Sequence, residues 1–86
     1  MRYIINDKVK VAQSENETFV MLGGQYYVLN ETAWLTWQRF LKGATEEEVM
    51  EELMKNYASE IDKETIRMDY EELMSLLLEH QMLIEG

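Results

Sequence analysis

The sequence predicts an α+β fold in which a three-stranded antiparallel sheet is followed by three helices, the inventory of a winged helix-turn-helix domain. Three observations predict it. The first third of the chain holds short alternating, β-branched or aromatic runs bounded by turn residues. The remainder holds apolar stripes at helical spacing, opened by capping residues. At 86 residues and 47% hydrophobic composition the chain supports one domain, 1–86, and is neither a disordered nor a fibrous sequence.

The first predicted strand is Lys8-Val9-Lys10-Val11-Ala12, where polar and apolar residues alternate. Ser14-Glu15-Asn16-Glu17 reads as a turn into Thr18-Phe19-Val20-Met21-Leu22. Gly23-Gly24 then joins this second strand to a third, Gln25-Tyr26-Tyr27-Val28-Leu29. A Gly-Gly pair supplies the two positive φ angles of a two-residue hairpin. Leu22 then faces Gln25, Val20 faces Tyr27 and Thr18 faces Leu29, while Phe19, Met21, Tyr26 and Val28 share the opposite side. Both faces are apolar, so both are expected to be covered.

Asn30 caps a helix that begins at Glu31 and buries Ala33, Trp37, Phe40 and Leu41, with Gly43 at its C′ position. Thr45-Glu46-Glu47-Glu48 is a capping box for a second helix. That helix buries Val49, Leu53 and Tyr57 and leaves Glu47, Glu51, Glu52 and Lys55 on its wet side. A polar connection, Ala58 to Lys63, leads to a third helix over Glu64 to Gln81 with Ile66, Tyr70, Leu73 and Leu77 in its stripe. Met82-Leu83-Ile84 follows as an apolar tail.

Charge removes whole classes of function. Residues 1–44 carry five bases and four acids, whereas residues 45–86 carry three bases and thirteen acids, for a net charge of −9. Such a surface repels phosphate backbones and anionic lipid, because affinity for either rests on Lys and Arg. No nucleic-acid or membrane partner is expected. With no Cys there is no disulfide, thiolate metal site or cysteine nucleophile. The N-terminus reaches Asn6-Asp7-Lys8 before an apolar segment of signal-peptide length accumulates, so a cytoplasmic location is expected. Met1 and the ending at Gly86 point to a free-standing protein.

No residue set suggests catalysis. His80, near the end of the third helix, suits the negative end of the helix dipole. The Glu46–Glu52 acids lack the Gly turn and alternating Asp/Asn of a calcium loop and read as a solvated helix face. No metal, cofactor or enzymatic activity is expected. Two features exceed the needs of a core. Leu76-Leu77-Leu78 widens the apolar surface of the third helix beyond one stripe. The third strand carries no Pro, Lys or bulge to protect an edge, as a docking edge for strand addition would not.

The order of motifs resembles the PqqD-like family. Gly24-Gln25-Tyr26-Tyr27-Val28-Leu29-Asn30-Glu31-Thr32-Ala33 is similar to its G-x-Y-Y-x-L-N-E-T-A segment. Trp37 and Leu41-Lys42-Gly43-Ala44-Thr45-Glu46-Glu47-Glu48-Val49 resemble W…L-x-G-x-T-x-x-E-[IV], and Leu53 and Tyr57 the following L…Y. Asp69 with Leu73, Met74 and Leu77 resembles its D-V-x-x-[FL]-[LI]-x-x-L helix, and Met82-Leu83 the closing L-[LI]. The likeness runs from about residue 9 to residue 84. Gln81 departs from it, standing where the family often has Gly; Tyr70 stands in place of Val and Trp34 in place of a small residue.

The resemblance implies a stand-alone RiPP recognition element, a chaperone for the leader of a ribosomally made precursor peptide. It implies that the leader adds as a strand to the third strand, Gln25, Tyr26, Tyr27, Val28 and Leu29, beside a helix wall of Met68, Asp69, Glu72, Leu73 and Leu76. It further implies presentation to a modifying enzyme or leader peptidase, such as a radical SAM enzyme or a transglutaminase-like protease, in RiPP, lasso-peptide or PQQ-type biosynthesis. The competing reading is a winged-helix-like homodimeric scaffold or regulatory subunit with no peptide ligand, which would also account for an apolar edge strand.

Overall fold

The computed structural model describes residues 2–86. Its strands are β1 (Tyr3–Ile5), β2 (Lys10–Gln13), β3 (Thr18–Leu22), β4 (Gln25–Leu29) and β5 (Leu83–Glu85); its helices are α1 (Glu31–Leu41), α2 (Glu46–Tyr57) and α3 (Lys63–Glu79). The strands β2, β3 and β4 form an antiparallel meander in that order, followed by the three helices. The hairpin register is as the Gly-Gly turn predicts, with Leu22 opposite Gln25, Val20 opposite Tyr27 and Thr18 opposite Leu29. Gly23 and Gly24 have φ of +59° and +85°, the mirror-image turn whose twist matches the flanking strands. The Ser14–Glu17 turn closes with Ser14 N–H donating to Glu17 O at 2.9 Å.

The core lies between one face of β3–β4 and the helices. Val20 and Leu29 meet Trp37, Leu53, Tyr70 and Leu77 there, all buried. The opposite face is not covered, contrary to expectation: Tyr26 is 65% and Val28 51% exposed. The core is too small to reach both sides of the sheet, and even Val11 of β2, on the core side, is exposed. The first strand of the meander starts two residues later than its alternation suggests, at Lys10, because Asn6 and Val9 close a turn ahead of it.

A second, unforeseen sheet joins the chain ends. The apolar tail is strand β5, antiparallel to β1 with Ile4 opposite Ile84. Each strand is three residues long and shows no period in sequence. Asn6 ties the junction, its N–H donating to Met82 O at 3.0 Å and its Nδ2 to Gln81 O at 2.9 Å. The Tyr3 and Phe40 rings pack edge to face at 5.6 Å, seating the ribbon on α1.

The helix ends follow their caps. Asn30 Oδ1 accepts from Ala33 N at 2.9 Å, and the capping box of α2 is complete, Glu48 N donating to Thr45 Oγ1 and Thr45 N to Glu48 Oε1. Those bonds hold the Glu48 carboxyl below its ordinary pKa. Helix α1 ends in a Schellman motif, Ala44 N donating to Arg39 O and Gly43 N to Phe40 O, with Gly43 at φ +88°.

Helix α3 ends the same way and earlier than expected, at Glu79 and not Gln81. Met82 N donates to Leu77 O at 2.9 Å and Gln81 N to Leu78 O at 3.1 Å. Among the described residues Gln81 is the one non-glycine at positive φ, +58°. It occupies the C′ position that Gly usually takes, so a side chain is tolerated there at a conformational cost.

Several side chains sit elsewhere than the stripes suggest. Leu41 is 65% exposed, and Thr36 takes its place in the core with its hydroxyl donating to Thr32 O at 2.9 Å. Leu73 is half-buried while Met74 is buried. Glu52, partly exposed, accepts from Nε and Nη2 of Arg39, at 2.5 and 2.7 Å, which lowers its pKa. Glu46 accepts from the Tyr70 hydroxyl at 2.9 Å.

Candidate functional site

Two structural facts create the site. The first is an open strand edge. Among the described residues strand β4 pairs with β3 alone. A two-residue hairpin closes on a hydrogen-bonded pair, so Gln25, Tyr27 and Leu29 spend their backbone groups on β3. Those of Tyr26 and Val28 alternate with them and face outward. Main-chain donors and acceptors are thus offered at two positions about 6.7 Å apart.

The second is a groove of about 390 Å³ beside that edge. Val28 forms its strand side, and Asp69, Leu73 and Leu76 of α3 its helix side, with Glu72 at the rim. Positions 69, 73 and 76 fall on one helical stripe, which is why these three face the strand together. Thr32, Ala33 and Thr36 of α1 contribute the floor, with the exposed N-cap Asn30 ahead of them and the buried Leu53, Ile66 and Tyr70 also in the lining. Small residues at positions 32, 33 and 36 leave the space open, although the bulky Trp34 and Trp37 flank them in sequence. Tyr70 is 6% exposed, and burial followed by its bond to Glu46 pushes its hydroxyl pKa well above the ordinary value.

The strand and the helix run in opposite directions. The Tyr27 ring lies against His80 at the end of α3, centroids 5.1 Å apart, whereas Asn30 and Thr32 share the groove with Asp69 and Glu72. His80 therefore packs on the sheet as well as capping its helix.

The ten residues singled out in the sequence separate into groups. Val28, Asp69, Glu72, Leu73 and Leu76 line one groove. Tyr26 is at the open edge but turns its ring to the uncovered face, edge to face with Phe19 at 5.9 Å. Leu29 is core, 5% exposed, and Tyr27 is half-buried. Gln25 lies exposed at the hairpin end, its Oε1 3.4 Å from the Tyr27 hydroxyl. Met68 is on the solvent side of α3, around a shallower depression shared with Glu71, Glu72, Ser75, Leu76 and Glu79. The α1 floor was not foreseen; its signal is the run of small residues at helical spacing.

Among the described residues no group of three or more His, Asp and Glu is arranged to hold a metal ion, and no helix is long and apolar enough to cross a membrane.

Known structures share this architecture. Lasso peptide synthetase B1, solved in complex with the leader peptide, matches with a TM-score of 0.79 at 28% identity, over 99% of this chain and 100% of that one. TbiB1, solved in complex with the TbiA(beta) leader peptide, matches with a TM-score of 0.74 at 22% identity over 93% of each chain, a likeness of fold. No curated protein matches significantly. The family described as coenzyme PQQ synthesis protein D (PqqD) matches residues 11–83, most of the chain and all of the elements from β3 to α3. On that match, this chain belongs to the PqqD family.

Proposed function

We propose that this protein is a RiPP recognition element: it binds the leader of a precursor peptide by strand addition to β4 and holds it for a modifying enzyme or leader peptidase. The observation that carries this reading is the free β4 edge lying along an apolar groove walled by α3. An extended peptide satisfies the outward groups of Tyr26 and Val28 with its own backbone, and that fixes its register. Alternate side chains then fall toward Leu73 and Leu76, where apolar groups leave water. The role is binding and presentation, without bond-making by the protein itself. The solved likeness to a synthetase B1 bound to its leader supports the reading.

Ordering a disordered leader consumes part of the interaction energy, so affinities from micromolar to nanomolar follow, about −8 to −12 kcal/mol. The test is calorimetry with the cognate leader and the Leu76→Asp variant. Leu76 is half-buried and outside the core cluster, so the variant folds. A carboxylate there abolishes binding. Unchanged affinity in the folded variant would refute the site.

A further inference from the structure

The groove is asymmetric in charge. Asp69 and Glu72 are the charged side chains that line it, and no Lys, Arg or His does. Three apart on a helix, they sit on adjoining positions of one surface. Among the described residues the ion pair formed is Arg39–Glu52, so neither carboxylate has a protein cation within 4.0 Å. On α3 Asp69 and Glu72 precede Leu73 and Leu76 respectively by one turn, toward the amino end of the helix, whereas the carboxyl end of the helix, at His80, packs on Tyr27 outside the groove. Glu71 and Glu79 lie outside, around the solvent-side depression, where they attract cations without fixing a position.

We infer that the groove selects leader segments carrying Lys or Arg two residues to the amino side of the apolar residue seated at Leu73 and Leu76. This rests on the leader reading above and adds the chemistry and direction of the segment. Strand addition to an antiparallel meander continues most favourably as an antiparallel strand. The leader then enters at the Asn30 end of β4 and leaves at the Gln25 end, so its amino side meets Asp69 and Glu72. The spacing agrees. Asp69 precedes Leu73, and Glu72 precedes Leu76, by four residues, about 6 Å along the helix axis. Two residues of an extended peptide advance about 6.7 Å and return the side chain to the same face. An acidic residue at that leader position meets two carboxylates and is rejected, which is selectivity by repulsion as well as attraction.

The test uses defined peptides. Random peptides displayed on phage are selected against the protein, and from a selected sequence two synthetic isomers are made. One carries Lys two residues before the apolar anchor, the other two residues after it. Fluorescence anisotropy is expected to show the first binding about fivefold more tightly, the scale of a partly exposed ion pair. The ratio falls to about one in the double variant Asp69→Asn, Glu72→Gln, and also in about 1 M salt, where the screening length is near 3 Å. Equal binding of the isomers by the unaltered protein, or a preference that survives in the double variant, overturns this inference and leaves leader binding standing. Selection of no peptide that competes for β4 overturns leader binding itself, and this inference with it.

Discussion

Proline at position 28 separates the strand edge used for folding from the edge offered to a ligand. The Val28 N–H faces away from β3, so Val28→Pro removes a donor that the meander does not use. The residue is 51% exposed on an edge strand, a place where Pro is tolerated. The fold loses part of a half-exposed side chain and some backbone freedom, about 1 kcal/mol against a typical 5–15 kcal/mol for a domain. Leader binding loses far more. One backbone hydrogen bond is forfeited, about 1 kcal/mol net, and the leader carbonyl that met it is left without a partner at a further 1–2 kcal/mol or so. Together these weaken binding about 30- to 150-fold. Calorimetry with the leader measures the loss, circular dichroism verifies the fold, and Val28→Ala, which keeps the donor, separates the side chain from the backbone. A control in the neighbouring position behaves in the opposite way: Tyr27→Pro removes a donor to Val20 and unfolds the meander. A folded Val28→Pro protein that binds within about threefold of the parent would refute strand addition at β4.

Two further outcomes concern stability. Gln81→Gly relieves a left-handed residue at φ +58° whose carbonyl, and not its side chain, makes the contact to Asn6. Allowing for the greater freedom of Gly in the unfolded chain, the gain is about 0.5–1 kcal/mol, or about 2–8 °C in Tm, read by calorimetric melting; no rise in Tm would show that the αL position carries no strain. The carboxyls of Glu48 and Glu52 have folded pKa values below their ordinary 4.5, the first through the Thr45 cap and the second through Arg39. Their stabilisation is therefore complete above about pH 4.5 and is lost as pH falls through the lower folded values. Urea unfolding at about pH 6 and about pH 3 should show the decline, and Glu48→Ala should make it shallower.

Local features of the sequence were enough for much of this fold. The Gly23-Gly24 turn predicts the β3–β4 register residue by residue, because two consecutive positive φ angles permit one short hairpin and its pairing follows. The capping residues Asn30 and Thr45 and the C′ glycine Gly43 predict where α1 and α2 start and where α1 stops, since each satisfies backbone groups within a few residues. The groove was legible in part. Leu73, Leu76 and Asp69 share a helical stripe in any context, and an unprotected apolar strand is visible from its residue types. The floor from Thr32, Ala33 and Thr36 was not legible, because a gap is made by what three elements fail to fill together.

The periodicities, turns and caps are local, and the sequence by itself determined them: a meander, three helices and an acidic C-terminal half. Only the tertiary structure decided what depends on residues far apart. Pairing of β1 with β5 joins Tyr3 to Glu85, and strands of three residues carry too little pattern to announce a partner so distant. The same packing tightens the end of α3, puts Gln81 in a conformation its own side chain disfavours, and lays His80 against Tyr27. With that end of α3 held on the sheet, the helix stands beside the open edge of β4 with Asp69 toward Asn30. A cleft between two elements is a property of their separation, and separation is set by the volume of the core they enclose.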